Sequence, residues 1–163
     1  MKVGVGIGSN LGDRGAEITA AFDFLRVLDP AVRRSRIYES EPLDCPPGSG
    51  KFLNAAAVIS WSGDLLDLLD RFHAHERERG RAVVRPVNAP RPVDLDLLFA
   101  EDYICNTARL VLPHPRMRER DFVLRPLAEL EPDFPLPPDG SNVQDLLTRW
   151  LHQHGESPCQ PID

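Results

Sequence analysis

No stretch of this chain approaches the roughly 18 consecutive apolar residues that a membrane-spanning helix needs. Cysteine is scarce: Cys45, Cys105 and Cys159 stand at no metal-ligand spacing, and their odd number offers no disulfide framework. A reducing cytoplasm is the compartment this suggests. Residues 1–8 are too few and too glycine-rich for the apolar core of a signal peptide. Aromatic residues make up 7% of the chain, few for a surface on which bases stack. The net charge of −6 argues against a general polyanion binder. The expectation is a cytoplasmic protein with neither a membrane nor a nucleic acid as partner. No repeat or linker-like segment divides the 163 residues. That length suits one domain with a proper core, residues 1–152, followed by a tail, residues 153–163.

Three familiar motifs are imitated and none is completed. Residues 2–8 read as a first strand with glycine at positions 4, 6 and 8, which is not G-x-G-x-x-G and gives no support to a dinucleotide fold. Glycines alternating on one strand face instead let a ligand or another backbone come close. Gly48-Ser49-Gly50-Lys51-Phe52 imitates the end of a Walker A loop. Cys45 stands where its first glycine belongs, however, and Phe52 where its Ser or Thr belongs. His73-Ala74-His75-Glu76 invites a zinc reading, but H-E-x-x-H would need histidine where Arg79 stands. Histidines two apart also point to different sides of a helix, so both are expected to be solvated.

In chain order, Asp13 can cap a helix whose Ile18, Phe22 and Leu25 share one face, and Asp29-Pro30 ends it. Residues 32–41 suit a polar–apolar strand, residues 43–51 a mobile loop, and residues 52–61 a strong strand. Leu65, Leu66, Leu68, Leu69 and Phe72 mark an amphipathic helix stopped by Gly80. A loop over residues 81–90, a central apolar strand and a short hairpin within residues 103–112 follow. Residues 117–130 read as helical segments interrupted at Pro126, and residues 143–151 as a last helix. The order βαββαβ predicts an α+β, ferredoxin-like sandwich: a mainly antiparallel sheet with helices on one face, plus C-terminal helices. The other face of the sheet is then open to ligands.

The central strand carries the chemistry. In Arg91-Pro92-Val93-Asp94-Leu95-Asp96-Leu97-Leu98-Phe99, two aspartates interrupt an apolar run at i and i+2. They project to the same side of a strand with Cα atoms roughly 6.5–7 Å apart. Two anions there repel each other and lose hydration unless cations or donors compensate. Carboxylates joined by a phosphate-bearing substrate are the usual Mg²⁺ arrangement. The alternative is a pair of surface residues at a strand end, capped by arginines. Ten of the 19 lysines and arginines fall between positions 77 and 125. This basic field in an acidic chain suits a small phosphorylated ligand better than a nucleic-acid duplex.

Several separate stretches then agree. Gly8-Ser9-Asn10-Leu11-Gly12-Asp13, Phe52-Leu53-Asn54-Ala55 and Glu76 with Gly80-Arg81 are followed by Pro90-Arg91-Pro92-Val93-Asp94-Leu95-Asp96 and Pro113-His114-Pro115-Arg116. Arg120-Asp121-Phe122-Val123-Leu124 and Pro126-Leu127 complete the set. Together, in this order from about residue 3 to 133, they resemble the 6-hydroxymethyl-7,8-dihydropterin pyrophosphokinase family. The resemblance implies transfer of pyrophosphate from MgATP to the hydroxymethyl oxygen of the pterin, with release of AMP. It implies two Mg²⁺ ions held by Asp94 and Asp96, with Arg81 and Arg91 as further catalytic residues. It places Glu76, Arg81, Arg91, Leu97, Arg109, His114 and Arg120 with ATP. Ser40, Leu43, Phe52, Asn54 and Phe122 fall with the pterin: the two aromatics sandwich its ring, Asn54 reads its edge, and the segment at Ser40 and Leu43 closes the pocket through backbone groups. A monomer is the oligomeric state that it implies.

Residues 81–91 depart most from the family pattern. Val83 and Asn88 stand where a second arginine and a tryptophan are common, with Arg85 nearby, and a weaker closure of this loop over ATP is the expectation. Two other readings compete: a ferredoxin-like module binding single-stranded RNA on its open sheet face, and a metal-dependent phosphohydrolase passing phosphate to water. The acid pair on the central strand opposes the first, and pterin-independent ATP turnover would favour the second.

Overall fold

The first strand sets the geometry of the sheet. In β1 (Lys2–Ser9), Val3, Val5 and Ile7 point one way, into the core, and Gly4, Gly6 and Gly8 point the other. The computed structural model of the chain describes residues 1–80 and 87–162. Along them follow α1 (Arg14–Leu28), β2 (Arg33–Arg34), β3 (Tyr38–Ser40), β4 (Phe52–Ser60), α2 (Leu65–Glu78) and β5 (Asp94–Ala100). Next come β6 (Cys105–Asn106), β7 (Val111–Leu112), a 3₁₀ turn (Met117–Glu119), α3 (Asp121–Leu130), β8 (Pro135–Leu136), β9 (Ser141–Asn142), α4 (Val143–His154) and β10 (Gln160–Pro161). Among the described residues six strands form the main sheet, ordered β10, β3, β4, β1, β5, with β2 also paired to β4. Its pairings are antiparallel. Helices and an antiparallel sheet are thus combined as the sequence predicts.

Each sheet face has its own apolar cluster. Val3, Val5, Ile7, Leu95 and Leu97 pack against Ile18, Phe22 and Leu25 of α1 and Leu68, Leu69 and Phe72 of α2. Asp13 accepts a hydrogen bond from the Ala16 amide and Asp64 one from the Leu66 amide, so both helices start on side-chain caps. On the opposite face, Ala56, Leu98 and Phe99 meet Leu124 and Leu127 of α3 and Val143 and Leu146 of α4. The glycine row makes this second layer possible. A Cβ on Gly4 would lie 2.2 Å from Phe99 Cε1, so the ring of Phe99 packs directly on backbone.

Several elements differ from the sequence reading. The appended helices cover part of the sheet face expected to be open, which removes the flat platform that the RNA-binding reading requires. The strand over residues 32–41 is split, because the buried Ser35 places its own hydroxyl and amide on the Ala56 backbone. His75 is buried rather than solvated and stacks on Phe24 with ring centroids 4.5 Å apart, since it falls on the α2 stripe facing α1. The break in residues 117–130 falls at Arg120, and Pro126 lies inside α3. Its missing N–H costs a helical hydrogen bond, which the burial of Leu124, Pro126 and Leu127 against the sheet offsets. Tyr103 and Ile104 are exposed and precede the hairpin, which is confined to β6 and β7. The expected tail is also structured: Gln153 and His154 close α4, Cys159 is buried, and β10 pairs with β3. Its alternation is too short to signal a strand in the sequence.

Candidate active site

Asp94 and Asp96 lie opposite Gly8 and Gly6 in the β1–β5 register, so the sheet beside them is bare backbone. A cleft enclosing about 770 Å³, its open mouth included, is lined there by Gly6, Gly8, Ser40, Leu43, Phe52, Asn54, Arg91, Asp94, Asp96, His114, Arg120 and Phe122 among others. The five residues expected at a pterin all border it. A second cleft, of about 670 Å³ measured the same way, is lined by Glu76, Asp94, Asp96, Leu97, Arg109 and His114, with Leu69 and Val111 among their neighbours. Asp94, Asp96 and His114 border both clefts. Of the residues expected at ATP, Arg91 and Arg120 border the first cleft, whereas Glu76, Leu97 and Arg109 border the second. Arg81, Val83 and Arg85 lie outside the described residues.

In the first cleft the residues are held by neighbours that leave their working atoms facing inward. Asn54, on β4, donates from Nδ2 to Ser40 Oγ at 2.7 Å, which ties β4 to the end of β3. The Asn54 Oδ1 atom stays near the bare Gly8 floor, 3.8 Å from where a Cβ would stand. Phe52 and Phe122 each carry a guanidinium over the ring, Arg91 at 5.2 Å and Arg120 at 5.5 Å from the centroids. Arg91 also donates from Nη2 to Asp94 Oδ2 at 3.0 Å. The Nε atoms of Arg91 and Arg120 are buried and have no hydrogen-bond partner among the described residues.

In the second cleft, Glu76 Oε1 accepts the amide of Leu95 at 2.8 Å. The carboxylate thus fastens α2 to the residue between the two aspartates. Leu97 points away from them into the α1–α2 cluster. Arg109 is exposed and ion-paired with Asp70. His114 is anchored by its own amide, which donates to Leu98 O at 2.7 Å, and its Nδ1 accepts from the Arg116 amide at 3.2 Å.

The electrostatics are unbalanced at the carboxylates. Burial, then repulsion from Asp94 and Glu76, pushes the Asp96 carboxyl up to about 7, against the opposing pull of Arg91 and Arg120. Burial, with Arg120 adding to it, lowers the His114 pKa, which favours the neutral imidazole. The Arg120 guanidinium is lowered by burial and by Arg116. Among the described residues no three His, Cys, Asp or Glu side chains converge as a metal site. The aspartate pair is therefore a partial donor set of the kind that phosphate and water oxygens complete.

Residues without an assigned role in the sequence also shape the site. Asn10 accepts the Arg91 amide on Oδ1 at 2.9 Å and donates its own amide to Arg91 O at 3.2 Å, a two-point clamp on the residue that grips Asp94. Its position directly after a buried strand, within the quoted Gly8-Ser9-Asn10 stretch, is the signal that could have revealed it. Asn88 and Cys45 also line the first cleft, and Asn88 donates from Nδ2 to Asp44 O at 2.8 Å. Asp44 in turn pairs with Arg116 at 3.1 Å. No local pattern announces that latch, because its members are far apart in sequence.

The family model for 7,8-dihydro-6-hydroxymethylpterin-pyrophosphokinase (HPPK) matches residues 4–132. A 2-amino-4-hydroxy-6-hydroxymethyldihydropteridine pyrophosphokinase of Pseudomonas aeruginosa is 40% identical over 150 residues, 90% of each chain. The folic acid synthesis protein fol1 of Schizosaccharomyces pombe is 35% identical over 155 residues, 90% of this chain and 20% of its own. In structure, a Plasmodium falciparum HPPK-DHPS crystal structure superposes with a TM-score of 0.72 over 98% of this chain and 48% of that one. At 11% identity that likeness speaks for the fold alone. A family match across most of the length, together with 40% identity to a relative covered over 90% of its length, means that the chain belongs to the HPPK family.

Proposed function

We propose that this chain transfers the terminal pyrophosphoryl group of ATP to the hydroxymethyl oxygen of 6-hydroxymethyl-7,8-dihydropterin. The oxygen bonds to the β-phosphorus, the bond from that phosphorus to the bridging oxygen breaks, AMP leaves and the hydroxyl proton is released. The single observation that carries the reading is the meeting of two clefts at Asp94, Asp96 and His114. One cleft is walled by two aromatics and an amide, as a flat heterocycle with a hydrogen-bonding edge requires. The other extends from the same carboxylates toward Arg109 and suits the nucleotide.

Asp94 and Asp96 would hold two Mg²⁺ ions, whose chemistry when bound is to neutralise the phosphate charge as it redistributes. The raised Asp96 carboxyl fits that assignment, because a buried acid pair lacking enough positive charge favours a divalent cation. Arg91 and Arg120 supply charge-assisted hydrogen bonds to phosphate oxygens, including the buried Nε–H groups that have no acceptor among the described residues. Asn54 accepts from the pterin edge through Oδ1, and Phe52 and Phe122 hold the ring between them. Glu76 keeps β5 in register, and Arg81 joins the phosphate contacts. Catalysis by this chain is then mainly positioning and charge stabilisation. The strand order β3, β4, β1, β5 with α1 and α2 together on one face fits the ferredoxin-like arrangement, with α3 and α4 added on the other. The reading extends to a monomer acting in the cytoplasm, which light scattering of the purified chain and cell fractionation test.

The test is AMP formation from MgATP with and without the pterin, with the Asp94→Ala/Asp96→Ala double variant as control. AMP formed only with pterin, and lost in the double variant, is the expected result. ATP turnover that ignores the pterin would overturn it in favour of a phosphohydrolase.

A further inference from the structure

The segment after α4 joins two walls of the first cleft. Ser157 and Cys159 are buried at 4% and 0% exposure. Ser157 Oγ donates to Asp121 Oδ2 and accepts the Cys159 amide at 3.1 Å. Asp121 opens α3 between Arg120 and Phe122, and its other oxygen accepts the Phe122 amide at 2.9 Å. Arg125, one turn further along α3, donates from Nη1 to Cys159 O at 2.7 Å while its guanidinium lies 5.6 Å from the Tyr38 ring centroid. The segment then pairs with β3, Gln160 with Glu39 and Pro161 with Tyr38, and the Ile162 amide donates to Ile37 O at 3.0 Å. That strand ends at Ser40, the partner of Asn54.

We propose that residues 157–162 form a brace that fixes the spacing between the α3 wall, which carries Phe122, and the β3–β4 wall, which carries Ser40 and Asn54, with Ser157 as its positioning residue. The brace acts first on the pterin, because its attachments adjoin residues that line the first cleft: Asp121 stands between Arg120 and Phe122, and β3 ends at Ser40. This inference rests on the reading of the first cleft as the pterin site. Ser157 touches no substrate and works through Asp121, whose backbone sets where the Phe122 ring begins. Without the serine hydroxyl, the Asp121 carboxylate loses a buried donor and the start of α3 is free to shift.

The experiment compares Ser157→Ala and Ser157→Thr with the unaltered chain, measuring KM for pterin, KM for ATP, kcat and melting temperature. Loss of one positioning hydrogen bond is expected to raise the pterin KM in Ser157→Ala about 5- to 10-fold. The ATP KM should rise less than the pterin KM, because Arg120 is the one residue assigned to ATP that adjoins the brace. Ser157→Thr, which restores a hydroxyl, should recover the pterin KM. An unchanged pterin KM in Ser157→Ala overturns the brace, as does a parallel weakening of pterin and ATP that tracks melting temperature. Asn54→Ala and Phe122→Ala serve as the separate control. If those two leave the pterin KM unchanged, the reading of the cleft fails and the brace with it. If they raise it while Ser157→Ala does not, the brace alone fails.

Discussion

Asp96 shows what a residue in this site gives up for its place. Its carboxyl is pushed up to about 7 by burial and by Asp94 and Glu76, so ionising it costs the folded state. A folded value above the ordinary 3.8 means that its contribution to stability is fully present at low pH and is lost as the pH rises through about 7. In EDTA, melting temperatures measured from pH 5 to 8 should therefore fall for the unaltered chain relative to Asp96→Asn, and saturating Mg²⁺ should close the gap. A gap that does not change with pH would count against this account. The same Asp96→Asn change should lower the rate of AMP formation by roughly 10³-fold, the scale of several kcal/mol of lost charge stabilisation. Glu76 presents the complementary case. Glu76→Ala strands the buried Leu95 amide and should cost about 1–3 kcal/mol in urea unfolding, whereas Glu76→Gln keeps an acceptor and should cost less.

Among the elements, the loops over the first cleft gain most from three dimensions. Asn88 reads in the sequence as a missing tryptophan, yet its φ is +56°, a conformation that asparagine tolerates far better than a bulky aromatic. Its Nδ2 also holds the Asp44 carbonyl that Arg116 helps to secure. Grafting Asn88→Trp should therefore loosen the latch and raise the pterin KM about 5-fold or more, for the loss of about 1–2 kcal/mol. Improved turnover from that graft would mean instead that the loop closes poorly for want of the ring. The regular elements were legible because their signals are local. Ile18, Phe22 and Leu25 repeat at helical spacing, and Asp13 caps the turn before them. The burial of His75 has no local signal, because burial on one helix depends on where the neighbouring helix lies, and the ring of Phe24 is 51 positions away.

At the scale of the whole molecule, one sheet separates the α1–α2 layer from the α3–α4 layer, and the glycine row of β1 decides how closely the second layer approaches. Gly4→Ala would drive a methyl group into Phe99 and should destabilise the fold by about 1–3 kcal/mol, read as a lower urea midpoint. An unchanged midpoint would mean that the Phe99 ring has room to move aside. The clusters on the two faces share β4 and β5, so unfolding followed by fluorescence and by circular dichroism should give coincident transitions, as one cooperative domain requires.

By itself the sequence determined the long strands and helices, the two carboxylates on one face of β5, and the family. Each of these is written in spacings of a few residues or in an ordered set of short motifs. Tertiary structure alone decided that Asp94 and Asp96 stand between two clefts, that Asn10 clamps Arg91, and that the last residues join the sheet beside β3. Those relations connect residues dozens of positions apart. They follow from which backbone groups and apolar faces remain to be satisfied once the sheet has formed, and no local pattern records that remainder.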